Sequence, residues 1–586
     1  MIRAFDTHKI RKVHELSSSL WDFHTMPEEG PSACFPIAVP GCWETYPLTR
    51  TYRGKASYEK EFEAEGHIRL AFEGVSHTAE VFLDGQPVAQ HYNAYTPFEA
   101  VIPDLKKGQH HLKVLVTNAY GPGSTLHIPN DYQTYGGITR SVTLECLQDA
   151  FISGLHFTPV RVGEGWHGNT DISVRNLSGA DFSGTLELML GDRTILARPV
   201  AVPAHGQISL LLSDLLFSDV QSWAPDTPSL YLLSAVLKDS NDTPVDDLIE
   251  RIGFREVKTE GTRILLNGQP IKFRGFCRHE DHPEFGCAIP FQTMYHDLSM
   301  IRDLGANAIR TVHYPNDPLF LDLCDELGLL VWEEGHARAL TEEQMADPLF
   351  MQQSTECIRE MITAHYNHPC IVIWGFLNEC ASDTPFGKTC YLRHRDLIRE
   401  LDPTRPCSFA TCHKMTDLCL GLPDLVSFNI YPEWYEDEPA SVFLDRLIKW
   451  IDTDTEGAGK PFLITETGAG AIYGYRDPAH VKWSEEYQAD ALKNQLRSIL
   501  SNERCSGVFI WQFCDVRVSD EWFFSRPRTM NNKGVVDEYR RPKLCCEVVK
   551  EMFVFPDKCL NSEGLSRKSG CYNMFNLKTA HEGVSS

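Results

Sequence analysis

The sequence predicts a multidomain protein in which two consecutive β-sandwiches precede a (β/α)8 barrel. Two observations carry this prediction. The chain has 586 residues, more than one hydrophobic core usually supports, and its pattern changes from strand–turn–strand to strand–helix–strand after Asn267-Gly268. The expected domains are, in chain order, residues 1–149, 150–256 and 257–556, followed by a polar tail over 557–586 for which the sequence indicates no role.

Both sandwiches are predicted from short alternating strands and hairpin turns. Residues 68–75 read as a strand, and residues 79–83 form another that runs into Asp84-Gly85. This pair favours a type I′ turn, because both central positions of that turn have positive φ. The second sandwich repeats the pattern more sparsely, with a hairpin at Gly191-Asp192 and a strand over 230–237.

The barrel is predicted from eight apolar, strand-like runs with helical segments between several of them. Met294, Leu298 and Ile301 recur at helical spacing. Asp317-Pro318 opens a further helix that Gly328 closes, with the cap, the first-turn proline and the final glycine where each is preferred. Eight such units over about 290 residues are typical of a (β/α)8 barrel. The runs are 272–277, 308–313, 329–333, 371–377, 407–411, 425–431, 462–465 and 508–513.

Composition restricts the classes of partner and location. With 55 basic and 80 acidic residues, the formal net charge is −25, which argues against nucleic acid because nucleic acids select basic surfaces. No 18-residue apolar run predicts a membrane span, and residues 1–22 lack the apolar core of a secretory signal. The 19 cysteines are scattered, odd in number and without a CxxC pair, as is typical of reduced thiols. We therefore expect a cytoplasmic protein without a membrane or nucleic-acid partner, and a homo-oligomer whose copy number the sequence does not determine.

Two glutamates stand where barrels place catalytic groups, at the carboxyl ends of strands. Residues 371–377 end in Asn378-Glu379, and residues 461–465 end in Glu466. These glutamates are predicted to close the fourth and seventh strands on opposite sides of one barrel mouth. Such a pair suits glycosidic cleavage, since one carboxyl must donate a proton to the leaving oxygen while the other attacks the anomeric carbon. Taken singly, each is equally consistent with a structural carboxylate bound to an arginine.

Several longer motifs resemble one family. They are Tyr135-Gly136-Gly137-Ile138-Thr139-Arg140, Ile252-Gly253-Phe254-Arg255, Leu266-Asn267-Gly268-Gln269-Pro270, Arg274-Gly275-Phe276-Cys277-Arg278-His279-Glu280 and Arg310-Thr311-Val312-His313-Tyr314-Pro315. Together with the two glutamate motifs they resemble glycoside hydrolase family 2 over about residues 10–555. The resemblance implies a jelly-roll-like sandwich, an immunoglobulin-like sandwich and a catalytic TIM barrel, with net retention at the anomeric carbon.

The resemblance also implies roles for individual residues. It makes Glu379 the acid/base and Glu466 the nucleophile, and Asn378 the donor to the sugar 2-hydroxyl. Tyr431 stands where the family has a tyrosine that orients the nucleophile, and Trp511 where it has a platform under the sugar ring. Without the resemblance, both aromatic residues read as core residues.

A short segment after the eighth strand indicates which sugar is bound. Asn531-Asn532-Lys533 resembles the Asn-x-Lys element of β-glucuronidases, whose amide and ammonium groups bind the C6 carboxylate of the sugar. A charged hydrogen bond is about twice as strong as a neutral one, and a neutral hexose would leave the lysine uncompensated. Without its context the tripeptide is a solvated turn. The other positions that follow the glucuronidase pattern are Asp131, His279, Asn429 and Tyr435.

Two features leave the substrate and cofactor questions open to test. His279-Glu280-Asp281-His282 could suggest a metal, but we interpret it as a hydrogen-bonding cluster and expect no metal and no other cofactor. Arg338 stands where many glucuronidases have a small apolar stretch. It is either a surface residue or a pocket donor near the sugar C4 or carboxylate, and in the second case it favours an axial 4-hydroxyl, as in a galacturonide.

The predicted function is removal of a terminal β-linked hexuronic acid from small uronides, either β-glucuronides or β-galacturonides. Two alternatives stay open: a neutral-sugar relative such as a β-galactosidase, and a catalytically silent carbohydrate-binding protein on the same scaffold. The paired glutamates argue against the second alternative, because a binding protein has no need of both.

Overall fold

The computed structural model describes residues 2–521 and 526–555, so the tail predicted over 557–586 lies outside the described residues. The described chain has the predicted architecture of two β-sandwiches followed by an eight-stranded barrel. The fold prediction is therefore confirmed, while the boundaries at 149/150 and 256/257 stay predictions.

The first sandwich is built around one long antiparallel ribbon. Its strands are β1 (Lys12–Glu15), β2 (Ser19–Met26), β3 (Cys34–Val39), β4 (Lys55–Phe72), β5 (Val75–Ser76), β6 (Thr78–Leu83), β7 (Gln86–Tyr92), β8 (Phe98–Thr117), β9 (Gly137–Ile138) and β10 (Val142–Leu147). The main sheet has the order β1-β10-β4-β8-β6-β7, with β2 paired to β4 and β3 to β2. Asp84 (φ 50°) and Gly85 (φ 78°) form the predicted turn between β6 and β7. Both positive φ values are those that a type I′ turn requires.

The second sandwich consists of a three-stranded and a four-stranded antiparallel sheet. Its strands are β11 (Ala150–Val162), β12 (Gly165–Asn176), β13 (Phe182–Leu190), β14 (Arg193–Val202), β15 (Gln207–Phe217), β16 (Tyr231–Lys238) and β17 (Pro244–Ile252). The sheet orders are β11-β12-β15 and β14-β13-β16-β17. Between the sheets lies a separate core that contains Phe157, Trp166, Phe217 and Phe254.

The barrel follows a small antiparallel sheet. The strands are β18 (Val257–Glu260), β19 (Arg263–Leu266), β20 (Gln269–Ile271), β21 (Phe273–Arg278), β22 (Ala308–Thr311), β23 (Leu330–Glu334), β24 (Ile371–Gly375), β25 (Cys407–Ser408), β26 (Val426–Asn429), β27 (Phe462–Thr467), β28 (Cys505–Ile510), β29 (Val516–Arg517) and β30 (Met530–Asn531). Strands β21 to β28 form one parallel sheet in which β21 pairs with β28. Strands β25 and β26 lie at the two ends of this sheet and are joined by a bridge between Thr411 and Phe428 and by a Ser408 side chain that donates to Leu425 O, so the barrel is nearly closed. Each of the eight predicted runs overlaps one of these strands.

Helices surround the barrel and connect its strands. They are α1 (Phe291–Asp303), α2 (Pro318–Leu327), α3 (Glu342–Met345), α4 (Phe350–His365), α5 (Pro385–Leu401), α6 (Ala440–Asp454), α7 (Glu485–Ser501) and α8 (Cys545–Val554). The α2 ends are those predicted: the Asp317 carboxylate accepts from the Leu319 N–H at 2.9 Å, and Gly328 adopts φ 69°. Among the described residues, no helix is both long and apolar enough to span a membrane.

The first sandwich docks onto the barrel beside its mouth. The Tyr135 hydroxyl donates to Asp281 Oδ2 at 2.9 Å, and Arg140 Nη2 donates to Glu280 Oε2 at the same distance. Asp281 and Glu280 follow the first barrel strand, β21, and all four side chains are buried. These contacts bring residues near Asp131 over the carboxyl ends of the barrel strands.

Candidate active site

Glu466 lies in β27 and is held by two donors. Arg310 Nη1, from β22, donates to Glu466 Oε1 at 3.0 Å, and the Tyr431 hydroxyl donates to Oε2 at 2.5 Å. Burial and then the neighbouring Glu379 raise the pKa of Glu466 to about 7, whereas Arg310 and Tyr431 favour its charged form. The two donors fix the direction in which this carboxyl group faces.

Glu379 follows β24 and is the more accessible of the two carboxyl groups. Asn429 Nδ2 donates to Glu379 Oε1 at 2.9 Å, and Arg338 Nη2 lies 3.7 Å from Oε2. The Glu379 side chain is 17 % exposed, compared with 5 % for Glu466. This position suits a group that exchanges protons with a departing group and with water.

Asn378 is oriented through its carbonyl oxygen. Asn378 Oδ1 accepts from Arg310 Nη2 at 2.7 Å and from Asn429 Nδ2 at 3.1 Å. Its Nδ2 is buried and has no acceptor within the described chain. An amide fixed in this way has a donor available for a bound hydroxyl group, and such a bond would remove the cost of leaving a buried N–H without an acceptor.

Three rings pack together next to Glu466. The backbone N–H of Trp511 donates to the backbone carbonyl of Thr467 at 2.8 Å. The indole meets the edge of His279 at 5.5 Å and stacks on His313 at 5.1 Å. Burial lowers the pKa of both histidines well below the ordinary value, so both are neutral. Their Nε2 atoms have no protein partner in the described ranges, which leaves these nitrogens free to contact a ligand.

The segment predicted to bind a carboxylate is buried together with its expected partners. Lys533 is 3 % exposed, and its Nζ donates to the Tyr435 hydroxyl at 2.9 Å. Asn531 Nδ2 donates to Asp131 Oδ2 at 3.0 Å, across from the first sandwich. Burial, and then the nearby Arg526, lowers the pKa of Lys533. Asn531-Asn532-Lys533 is therefore not a solvated turn.

Arg338 points into the same region. Its side chain is 12 % exposed, lies 3.7 Å from Glu379 and donates to Asn130 Oδ1. The alternative that Arg338 lies on the surface is wrong. All predicted site residues thus surround one mouth: Glu379, Glu466, Asp131, His279, Arg338, Asn378, Asn429, Tyr431, Tyr435, Trp511, Asn531 and Lys533.

Comparison with known proteins assigns the whole arrangement to one family. Residues 31–147 match the sugar binding domain of glycosyl hydrolases family 2, residues 150–255 match glycosyl hydrolases family 2, and residues 257–555 match the family 2 TIM barrel domain. The chain belongs to glycoside hydrolase family 2. The resemblance inferred from the motifs is confirmed.

Named relatives in family 2 include enzymes for both uronic acids. The chain is 27% identical to a β-glucuronidase of Streptococcus agalactiae, covering 93% of this chain and 96% of that protein. It is also 27% identical to a putative β-glucuronidase of Formosa agariphila, over 86% of this chain and 65% of that protein's length. A solved β-galacturonidase from Eisenbergiella tayi, bound to galacturonate, is 60% identical with a TM-score of 0.93, covering 94% of this chain and 99% of that one.

Two arginines of this family 2 site had no role in the sequence prediction. Arg310 stands in a quoted motif, yet its contacts to Glu466 and Asn378 arise only from barrel closure. Arg526 Nε donates to Asp131 Oδ1 at 2.7 Å, and its Nη2 donates to Oδ2. Arg526 lies in an irregular segment without a periodic or motif signal, so only the fold places it near Asp131.

The cluster His279-Glu280-Asp281-His282 does not converge on one point. His279 Nδ1 contacts the Tyr314 hydroxyl at 3.2 Å, while Glu280 and Asp281 pair with separate residues of the first sandwich. His282 Nδ1 accepts from the Glu284 N–H at 3.2 Å. Each of the four side chains thus has its own hydrogen-bond partner, which is the arrangement expected of residues that serve as hydrogen-bonding groups.

Proposed function

We propose that this chain removes terminal β-linked hexuronic acids with retention of configuration and prefers β-galacturonides. The observation that supports the substrate class is the set of three cations, Arg338, Arg526 and Lys533, around the buried carboxylate of Asp131. Burial raises the pKa of Asp131, but these cations outweigh burial and hold that pKa below its usual range. A uronate would add a second negative charge to this cationic group, which a neutral sugar cannot do.

The first chemical step is the formation of a glycosyl-enzyme. Glu379 gives its proton to the glycosidic oxygen while Glu466 attacks the anomeric carbon, so the bond to the leaving group breaks as an ester bond to Glu466 forms. Asn378 Nδ2 donates to the sugar 2-hydroxyl. Water then attacks the anomeric carbon, Glu379 takes its proton, and Glu466 leaves as a carboxylate.

The assignment of roles follows from the contacts of each carboxyl group. Arg310 and Tyr431 both donate to Glu466, so the negative charge of the pair is favoured on the buried group that must attack. Glu379 is more exposed and therefore suits the exchange of protons with the leaving group and with water.

Two observations support the preference for galacturonides. Arg338 lies between Glu379 and the first sandwich, where we expect it to donate to an axial 4-hydroxyl. The solved structure that is 60% identical is named a β-galacturonidase. A β-galactosidase activity is not favoured, because a neutral sugar has no charge to pair with the buried Lys533. A silent binding role is not favoured, because binding alone needs no pair of glutamates.

Turnover of aryl β-galacturonide, β-glucuronide and β-galactoside by the wild-type protein and by Lys533→Met tests the substrate class. We expect Lys533→Met to lower kcat/KM on both uronides by roughly 10- to 100-fold, the equivalent of one lost charged hydrogen bond, and to spare any galactoside activity. Lys550→Met, which removes a half-exposed lysine paired with Asp303, serves as the matched control. Equal rates on galactoside and galacturonide in the wild-type protein would refute the proposal.

We also propose a cytoplasmic location and a homo-oligomeric state. The 17 cysteines within the described ranges are all free thiols, which supports a reducing compartment. Cell fractionation tests the location, and light scattering measures the number of copies. A monomeric mass at working concentration would contradict the second proposal.

A further inference from the structure

Asn130, in the first sandwich, has its backbone fixed by the barrel. Ser519, which follows β29, donates to Asn130 O through its N–H at 3.2 Å and through Oγ at 2.7 Å. Ser519 Oγ also accepts from the Asn130 N–H at 2.8 Å. The Asp131 N–H donates to Asn130 Oδ1 at 2.8 Å. With only 2 % of the residue exposed, both the backbone and the side-chain oxygen of Asn130 have a defined position.

The same Asn130 oxygen holds the guanidinium of Arg338. Arg338 Nη1 donates to Asn130 Oδ1, while Arg338 Nη2 stays 3.7 Å from Glu379 Oε2. The guanidinium therefore lies between a neutral acceptor from the sandwich and the carboxyl group of the acid/base. Loss of the Asn130 acceptor would remove one restraint on the Arg338 guanidinium. Because attraction between opposite charges grows as they approach, this loss would favour a shift toward Glu379. The N–H groups of Arg338 would then be less available to a sugar hydroxyl.

We infer that Asn130 is a positioning residue that sets the C4 selectivity of the site by holding Arg338 in place. The inference rests on the proposed function, in which Arg338 donates to the axial 4-hydroxyl of a galacturonide. Asn130 acts through Arg338 and carries no charge of its own.

The neighbouring residue supports this view of the first sandwich. Asp131 holds Arg526 with both carboxylate oxygens and accepts from Asn531. Two consecutive side chains of the sandwich thus orient two arginines from different barrel loops. Selectivity is then shared between domains: the barrel supplies the cations, and the sandwich sets where they point.

Kinetics on aryl β-galacturonide and β-glucuronide test the inference through the ratio of the two kcat/KM values. Arg338→Ala is expected to lower the galacturonide-to-glucuronide ratio by roughly 10-fold or more, and Asn130→Ala by roughly 5- to 10-fold, as for the loss of one well-placed hydrogen bond. The double variant should have the ratio of Arg338→Ala alone, because the two residues act as one unit. Asn118→Ala, at another buried asparagine of the same sandwich that bonds Glu44 and Gly54, should leave the ratio unchanged even where it lowers the thermal midpoint.

Asn130→Asp keeps the acceptor and provides a second variant if Asn130→Ala folds poorly. It should keep the ratio close to that of the wild-type protein while lowering both rates, since an added negative charge opposes both uronates alike. The inference is overturned if Asn130→Ala lowers both rates equally, if Asn130→Asp loses the ratio, or if the double variant is additive. Failure of the wild-type protein to cleave either uronide would instead refute the proposed function itself.

Discussion

The hydroxyl group of Tyr431 favours the charged form of the proposed nucleophile, Glu466, and Tyr431→Phe removes only that group. The hydroxyl donates to Glu466 Oε2 at 2.5 Å in a buried setting. A hydrogen bond to a charged group contributes roughly 1.5–3 kcal/mol, and one pKa unit corresponds to about 1.36 kcal/mol. Because the donor stabilises the charged form, its removal should raise the pKa of Glu466 from about 7 by roughly one to two units.

The expected consequence is a shift of the acidic limb of the pH profile. At pH 7 the charged fraction of Glu466 would fall from about one half to about one tenth or less, so kcat/KM should fall roughly 5- to 50-fold. The loss should shrink as the pH rises above the new pKa. The measurement is kcat/KM for an aryl galacturonide between about pH 5 and pH 9, with Tyr487→Phe as a control, since that hydroxyl bonds the backbone of Glu433 instead. A uniform loss at every pH, with the acidic limb unmoved, would refute the reasoning.

Three further predictions test the mechanism and the fold. Glu379→Ala should slow hydrolysis of the glycosyl-enzyme, and added azide should restore turnover as a β-glycosyl azide; an α-azide would contradict attack by Glu466. Burial raises the pKa of Glu44 from 4.5 to about 8, so the folded state binds the carboxyl proton more tightly than the unfolded state does. The stability that this proton contributes is lost as the pH rises through that range. Between about pH 5 and pH 8, the thermal midpoint of Glu44→Gln should therefore fall less than that of the wild-type protein. An equal fall of the two midpoints would contradict this prediction. Gly328→Ala should lower the thermal midpoint, because Gly328 has φ 69° and an added Cβ would lie 2.2 Å from Pro225 O; an unchanged midpoint would show that the turn adapts.

The pair of glutamates was predictable because its signal is local. A buried apolar run followed by a carboxylate marks the end of a barrel strand, and eight such runs fix which strand ends share the mouth. Predicting that Glu379 and Glu466 lie at one mouth needed only this count and the neighbouring motif residues. Strand lengths were less predictable, since the run 407–411 contains only the two-residue strand β25. This strand lies where the barrel is not fully closed, and its length depends on how it pairs with the adjacent strands.

Local patterns in the amino-acid sequence indicate the order of the domains, the turns and the two strand-end glutamates, since periodicity, turn residues and strand ends are properties of neighbouring positions. The direction of the charged side chains around the barrel mouth depends on tertiary contacts. Arg338 contacts Asn130 from 208 positions away, and Arg526 contacts Asp131 from 395. Where these guanidinium groups point depends on how the first sandwich docks against the barrel loops, and local sequence patterns carry no information about that docking.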